Sequence, residues 1–187
     1  MGNERTRKLA LGGILLAIGI VITVMLHVSG IGVGPYLLPM HFIVLLSLFS
    51  AGSFGLALAV LIPLFNFMLG LMPPHIALFL GIELVLLSLF LMMFLRIFKN
   101  AKAQKRRLAH LLIAIAIVLT KVVLIGAIFL AVEAGFVDFL GVPSAYVATS
   151  TVNGIGGLLL CVVAVPIVHE RITIRSMNYE EEHRDET

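Results

Sequence analysis

Charge is scarce in this sequence. Only 12% of its 187 residues are charged, where a soluble domain carries about 25%. With 60% hydrophobic residues, a soluble fold would leave much apolar surface in water, whereas a bilayer can face the outside of a helical bundle. Cysteine is nearly absent too. Cys161 stands alone in an apolar run, which excludes an intrachain disulfide and a cysteine-based metal site and leaves a small packing residue. Catalytic patterns are also lacking. Ser53 and Ser150 have no Gly-x-Ser-x-Gly setting, and neither a His-Glu-x-x-His motif nor a Walker lysine motif occurs. The glycine-rich Gly154–Gly157 segment falls within an apolar run, where close packing explains it better than phosphate binding.

What is present divides into apolar segments separated by breaks. The first spans 9–27. Its length and the poor cleavage site at His27-Val28-Ser29-Gly30 make it a retained span rather than a signal peptide. The Gly/Pro-rich stretch 29–35 cannot be a regular helix. Residues 37–72 are almost continuously apolar, and one helix of that length would reach about 54 Å against a hydrocarbon core of about 30 Å. The chain must fold back, and Ser50-Ala51-Gly52-Ser53-Phe54-Gly55 is the place, giving short spans at 39–51 and 53–70. Met72-Pro73-Pro74-His75 is a rigid break, because neither proline can donate to a helix ladder. Spans at 76–98, 109–132 and 144–169 follow, with a basic loop at 99–107, a loop at 135–143, and a polar tail, 176–187, expected to be disordered.

The basic residues orient these spans. Of 13 Lys and Arg, Arg5, Arg7 and Lys8 precede the first span. Arg96, Lys99, Lys102, Lys105, Arg106 and Arg107 lie between the fourth and fifth, and Arg171, Arg175 and Arg184 follow the last. The loops on the other side carry none. Six spans bring every basic cluster to one face, which is the cytoplasmic face, whereas five would put the C-terminal arginines outside. The formal charge of +3 therefore follows a membrane pattern and implies no nucleic-acid partner. The expected fold is an all-α, polytopic membrane protein with six transmembrane helices and both termini cytoplasmic, forming one domain.

Polar residues at depth supply the candidate site, because ionisable groups in a bilayer are costly and mark function by default. Glu83 lies about 10 Å below the outer start of span 4, and Lys121 about 15 Å below the outer end of span 5. Asn66 is near the outer end of span 3. Asn153 is in the outer half of span 6, with Tyr146 and Ser150 on its face. His41 and His75 lie at the outer mouths of spans 2 and 4, where a single histidine reads most simply as an interfacial residue. Two readings stand side by side. One is a structural Glu83–Lys121 ion pair with amides closing helix–helix hydrogen bonds. The other is a solute pocket open to the outside, lined by Lys121, Glu83, Asn66, Asn153, His41, Tyr146 and Ser150. Neither requires a metal or a cofactor. Ala10, Gly13 and Ala17 form a small-residue stripe on span 1, and Ala51, Gly55 and Ala59 repeat the spacing at the start of span 3. Such stripes let helices approach closely, either inside this bundle or against another membrane subunit.

The run Leu38-Pro39-Met40-His41-Phe42-Ile43-Val44-Leu45-Leu46, followed by Gly55, Pro63 and Leu69-Gly70-Leu71-Met72-Pro73-Pro74, resembles the substrate-binding S components of energy-coupling factor (ECF) vitamin transporters. In that family a Pro-Met-His start, a glycine turn and a Gly-Met-Pro-Pro break recur together; here Leu71 intervenes in the last motif. Glu83 and Asn153-Gly154 also look like family positions, and the resemblance covers roughly residues 8–170. It implies a six-helix capsule in the plasma membrane that captures a small water-soluble vitamin. It further implies a transmembrane scaffold (T) subunit and two cytoplasmic ATPase subunits as partners, so this chain is itself not an enzyme. The family docks on its scaffold through small residues of the first helices, which gives Ala10, Gly13 and Ala17 that role. The missing tryptophan argues against an aromatic-sandwich thiamin site, and a buried Lys121 suits a carboxylate, which makes pantothenate the leading substrate. The competing readings are a self-sufficient secondary transporter, for which the chain is short and shows no obvious inverted repeat, and an intramembrane enzyme, for which no nucleophile–base pair is evident.

Overall fold

The computed structural model describes residues 2–30, 37–97, 105–133 and 155–182. Six helices and no strand occur among the described residues: α1 (Gly2–Val28), α2 (Leu37–Ala51), α3 (Phe54–Met68), α4 (Pro74–Ile97), α5 (Lys105–Glu133) and α6 (Ile155–Glu182). Among the described residues, three segments are long and apolar enough to cross a membrane, Arg5–Val28, Pro74–Ile97 and Leu108–Leu130; Pro39–Ala51 and Phe54–Met68 are shorter apolar helices.

The two breaks on either side of α3 are built on glycine, while most of the 29–35 stretch and the 135–143 loop lie outside the described residues. Gly52 and Gly70 both adopt positive φ, 64° and 70°, which only glycine accepts without strain. Gly70 closes α3 with paired bonds, Gly70 N–H to Phe67 O and Leu71 N–H to Asn66 O. This is the Schellman arrangement, which satisfies carbonyls that a helix end would otherwise leave open. Pro74 then occupies the first position of α4, where its missing N–H costs nothing, and the Pro73 carbonyl receives Ala77 N–H at 3.0 Å.

Two segments expected to be loop or tail are partly helical. The basic loop is shorter than 99–107, since α5 starts at Lys105, and the tail expected to be disordered from 176 is helical as far as Glu182. Both differences have one cause: extending an existing helix costs no new nucleation, so polar residues next to a long apolar helix continue it.

Helix α2 is the hub. It packs against α1, α3, α4 and α6, and α1, α3, α4, α5 and α6 follow one another around it. Met40, Ile43, Val44, Leu45, Leu46 and Leu48 are all buried. A helix apolar on every side belongs in the interior, and α2 carries no Asp, Glu, Lys or Arg. The α2–α3 corner is tight: a Cβ on Gly55 would lie 2.7 Å from the Leu48 backbone nitrogen, so only glycine fits. Large apolar side chains cover the outside instead, among them Ile14, Val21, Leu64, Phe67, Leu78, Val118, Val122 and Leu160. Such a surface is compatible with lipid contact.

The two small-residue stripes have different fates. Ala51, Gly55 and Ala59 are buried and serve internal packing. Ala10, Gly13 and Ala17 are exposed, and a Cβ on Gly13 would meet nothing within 4 Å. The helix face of α1 that packs inward uses other glycines, Gly12 against Phe54 and Leu58, and Gly19 against Ile62 and Ile43.

A proline repair joins α5 to α6. Pro166 lies inside α6 and has no N–H, so the carbonyl of Val162, four residues earlier, loses its helical donor. His110 Nδ1 of α5 donates to that carbonyl at 2.6 Å. His110→Ala should destabilise the bundle by about 1–3 kcal/mol, because a part-buried carbonyl is left open. In a Pro166→Ala background the same change should cost less, because the helix regains its own donor. Thermal unfolding of the four proteins in detergent checks this.

Candidate functional site

Buried hydroxyls in this bundle are satisfied within their own helices. Thr23, Ser88 and Thr120 donate to the carbonyls of Gly19, Leu84 and Ala116, each four residues back, and Ser47 donates to Val44. These are the local bonds open to short polar side chains in helices and call for no ligand. The charged interior groups find partners on other helices.

Glu83 is 1% exposed on the inner face of α4. Lys121 Nζ of α5 lies 2.6 Å from its Oε1, and His41 Nε2 of α2 lies 3.0 Å from the same oxygen. One carboxylate oxygen therefore joins three helices. The Lys121 side chain is 11% exposed and that of His41 3%. An isolated charge in such surroundings is very costly, and the pairing with a charge-assisted bond offsets that cost.

Of the expected site residues, Lys121, Glu83 and His41 come together. The first two pair directly, as one of the two sequence readings had it. His41 is a correction to its placement at an interfacial mouth: it is buried, because α2 runs through the middle of the bundle. His75 is exposed and stands apart from this cluster. Tyr146, Ser150 and Asn153 lie outside the described residues. Asn66 is fully buried; its Nδ2 donates to Ile62 O at 2.7 Å, and its Oδ1 accepts no hydrogen bond among the described residues. No cluster of metal-ligating side chains occurs among the described residues.

Two polar contacts were not anticipated from the sequence. One is the His110 bond to Val162, whose signal is Pro166. The other is His169 of α6, whose Nδ1 lies 3.4 Å from Ser50 Oγ of α2 and whose ring centroid is 5.5 Å from that of Phe49. A histidine at the end of an apolar run gives no hint of its partner on another helix.

An apolar groove of about 490 Å³ lies between α3 and α4, lined by residues including Val60, Pro63, Leu64, Phe67, Leu78 and Ile82. It contains none of the charged residues of the cluster and is separate from it. No family model, curated protein or solved structure matches this chain.

The pairing has a direct energetic consequence. Lys121→Met removes the ammonium from Glu83, and Glu83→Gln removes the carboxylate charge from Lys121. Each should destabilise the bundle by about 3–5 kcal/mol, and the double variant should recover most of the loss because neither charge remains. Unfolding temperatures of the three variants give the coupling, and a strictly additive double variant would contradict the pairing.

Proposed function

We propose that the chain is the substrate-capture (S) subunit of an ECF-type importer, with six spans in the plasma membrane and both termini cytoplasmic. Its substrate is a small water-soluble vitamin bearing an acid group, with pantothenate the leading candidate. The observation that carries this reading is the buried Glu83–Lys121–His41 cluster. A lysine and a carboxylate deep in an otherwise apolar bundle are costly relative to apolar residues of similar volume, and a solute site explains why they are kept. In this reading the acid group of the solute takes Lys121 as its partner, while His41 remains as the donor to Glu83. The exchange keeps a hydrogen-bond partner on each charge. The reading counts Asn66 among the solute contacts, and Asn153, Tyr146 and Ser150, which lie outside the described residues, stay in it as sequence candidates.

The outward-facing stripe supports the partner assignment. Ala10, Gly13 and Ala17 form a shallow, small-residue face on α1 that is exposed among the described residues. A transmembrane scaffold helix can approach closely there. Two ATPase subunits bound to that scaffold would supply the energy, and this chain needs no nucleotide site of its own.

Binding of pantothenate to the purified chain, with mass spectrometry of small molecules carried through purification, tests the substrate. The double variant Lys121→Met/Glu83→Gln, expected to recover most of the stability lost in the single variants, should lose pantothenate binding by about 2–5 kcal/mol. Unchanged affinity would remove the cluster from the site. Ala17→Trp should weaken copurification with an ECF scaffold subunit while leaving solute binding intact. Unchanged copurification would take the stripe out of the docking surface.

A further inference from the structure

Asn66 is held in place from three directions. Its carbonyl accepts Leu71 N–H in the helix-ending motif, its Nδ2 donates to Ile62 O, and its side chain is fully buried. The amide cannot be turned over, because that would set Oδ1 against the Ile62 carbonyl oxygen. What remains is Oδ1, a buried acceptor that receives no donor among the described residues. Leaving such a group unpaired costs about as much as a lost hydrogen bond. The position does not demand an amide. In this type of helix ending it commonly makes an apolar contact with the residue Leu71 represents, so leucine would serve the fold. The other buried short polar side chains of the bundle, Ser88 and Thr120 among them, avoid the problem by bonding to their own helix.

The register between α3 and α4 places this acceptor relative to the charged cluster. The two helices are joined by a short link and run antiparallel. A Cβ on Gly81 would lie 4.0 Å from Pro63 Cβ, so these two residues are level. Asn66 is three residues along α3 from that level and Glu83 is two residues along α4 in the opposite direction. At about 1.5 Å per residue they are separated by about 7–8 Å along the bundle axis.

We infer that Asn66 Oδ1 receives a hydrogen bond from the captured solute, which therefore carries an O–H or N–H group displaced along the bundle axis from the acid group facing Lys121. The inference rests on the capture reading above and narrows it to acids with a neutral donor at their far end. Simple alkanoic acids are excluded as good ligands.

The test uses two probes on the full chain: pantothenate, which has an acid group with hydroxyl and amide donors, and hexanoate, which has the acid group alone. Wild type should prefer pantothenate. Asn66→Leu, and Asn66→Ser, whose hydroxyl can return to the Ile62 carbonyl, should each lose about tenfold or more in pantothenate affinity and leave hexanoate within about twofold. Without ligand, the melting temperature should hold or rise in at least one of the two variants. Wild type that prefers pantothenate, with variants that keep the preference, overturns the role of Asn66 and leaves the capture reading standing. Wild type that binds the two probes equally does the same. A fall in melting temperature in both variants assigns Asn66 to the fold and also overturns it. Wild type that binds neither probe removes the acid-capture reading and this inference with it.

Discussion

A carboxylate at 1% exposure is tolerable here because Lys121 Nζ and His41 Nε2 both approach the same oxygen of Glu83, at 2.6 and 3.0 Å. The constraint this sets reaches through the bundle. The three residues come from α2, α4 and α5, so the rotation of each helix about its axis is tied to the other two. Apolar packing alone is permissive in this respect, since leucine-rich faces can slide and repack at small cost. A charged cluster is not permissive, because a rotation that separates the partners strands a charge. The cluster therefore fixes which face of α2 meets α4, and the tight corner at Gly55 passes that orientation on to α3.

The same logic separates two kinds of polar residue in the interior. Thr23, Ser47, Ser88 and Thr120 answer to their own helices and say little about function. Glu83, Lys121 and His41 answer to other helices. Their cost is recovered only if the bundle keeps this arrangement, and on the proposed reading they exchange one partner for a solute. On that reading the fold preorganises the site, and capture of an acid changes one of its partners.

Much of this was legible along the chain, and little of it across the chain. Glycines at 52 and 70 and prolines at 73 and 74 mark breaks through local backbone chemistry, so the helix order follows from the sequence directly. The Glu83–Lys121 pair was accessible as one of two readings, because two ionisable residues at similar depth in adjacent spans have few alternatives. His41 was harder. Its place near the start of an apolar run suggests an interface, and only the central position of α2 makes it a buried donor. The two small-residue stripes have the same spacing, yet one packs inward and the other faces out. Spacing defines a helix face but not which neighbour covers it. The bond from His110 to Val162 belongs to the same class: Pro166 announces an open carbonyl, while the residue that repairs it lies on another helix.

Infrared difference spectroscopy of the purified chain against Glu83→Gln tests the central claim most directly, since it reads the state of the one carboxylate on which the arrangement depends. The account predicts an ionised carboxylate band that vanishes in Glu83→Gln, shifts in Lys121→Met and shifts again when pantothenate binds. A protonated carboxyl band assigned to Glu83 and indifferent to Lys121 would contradict it.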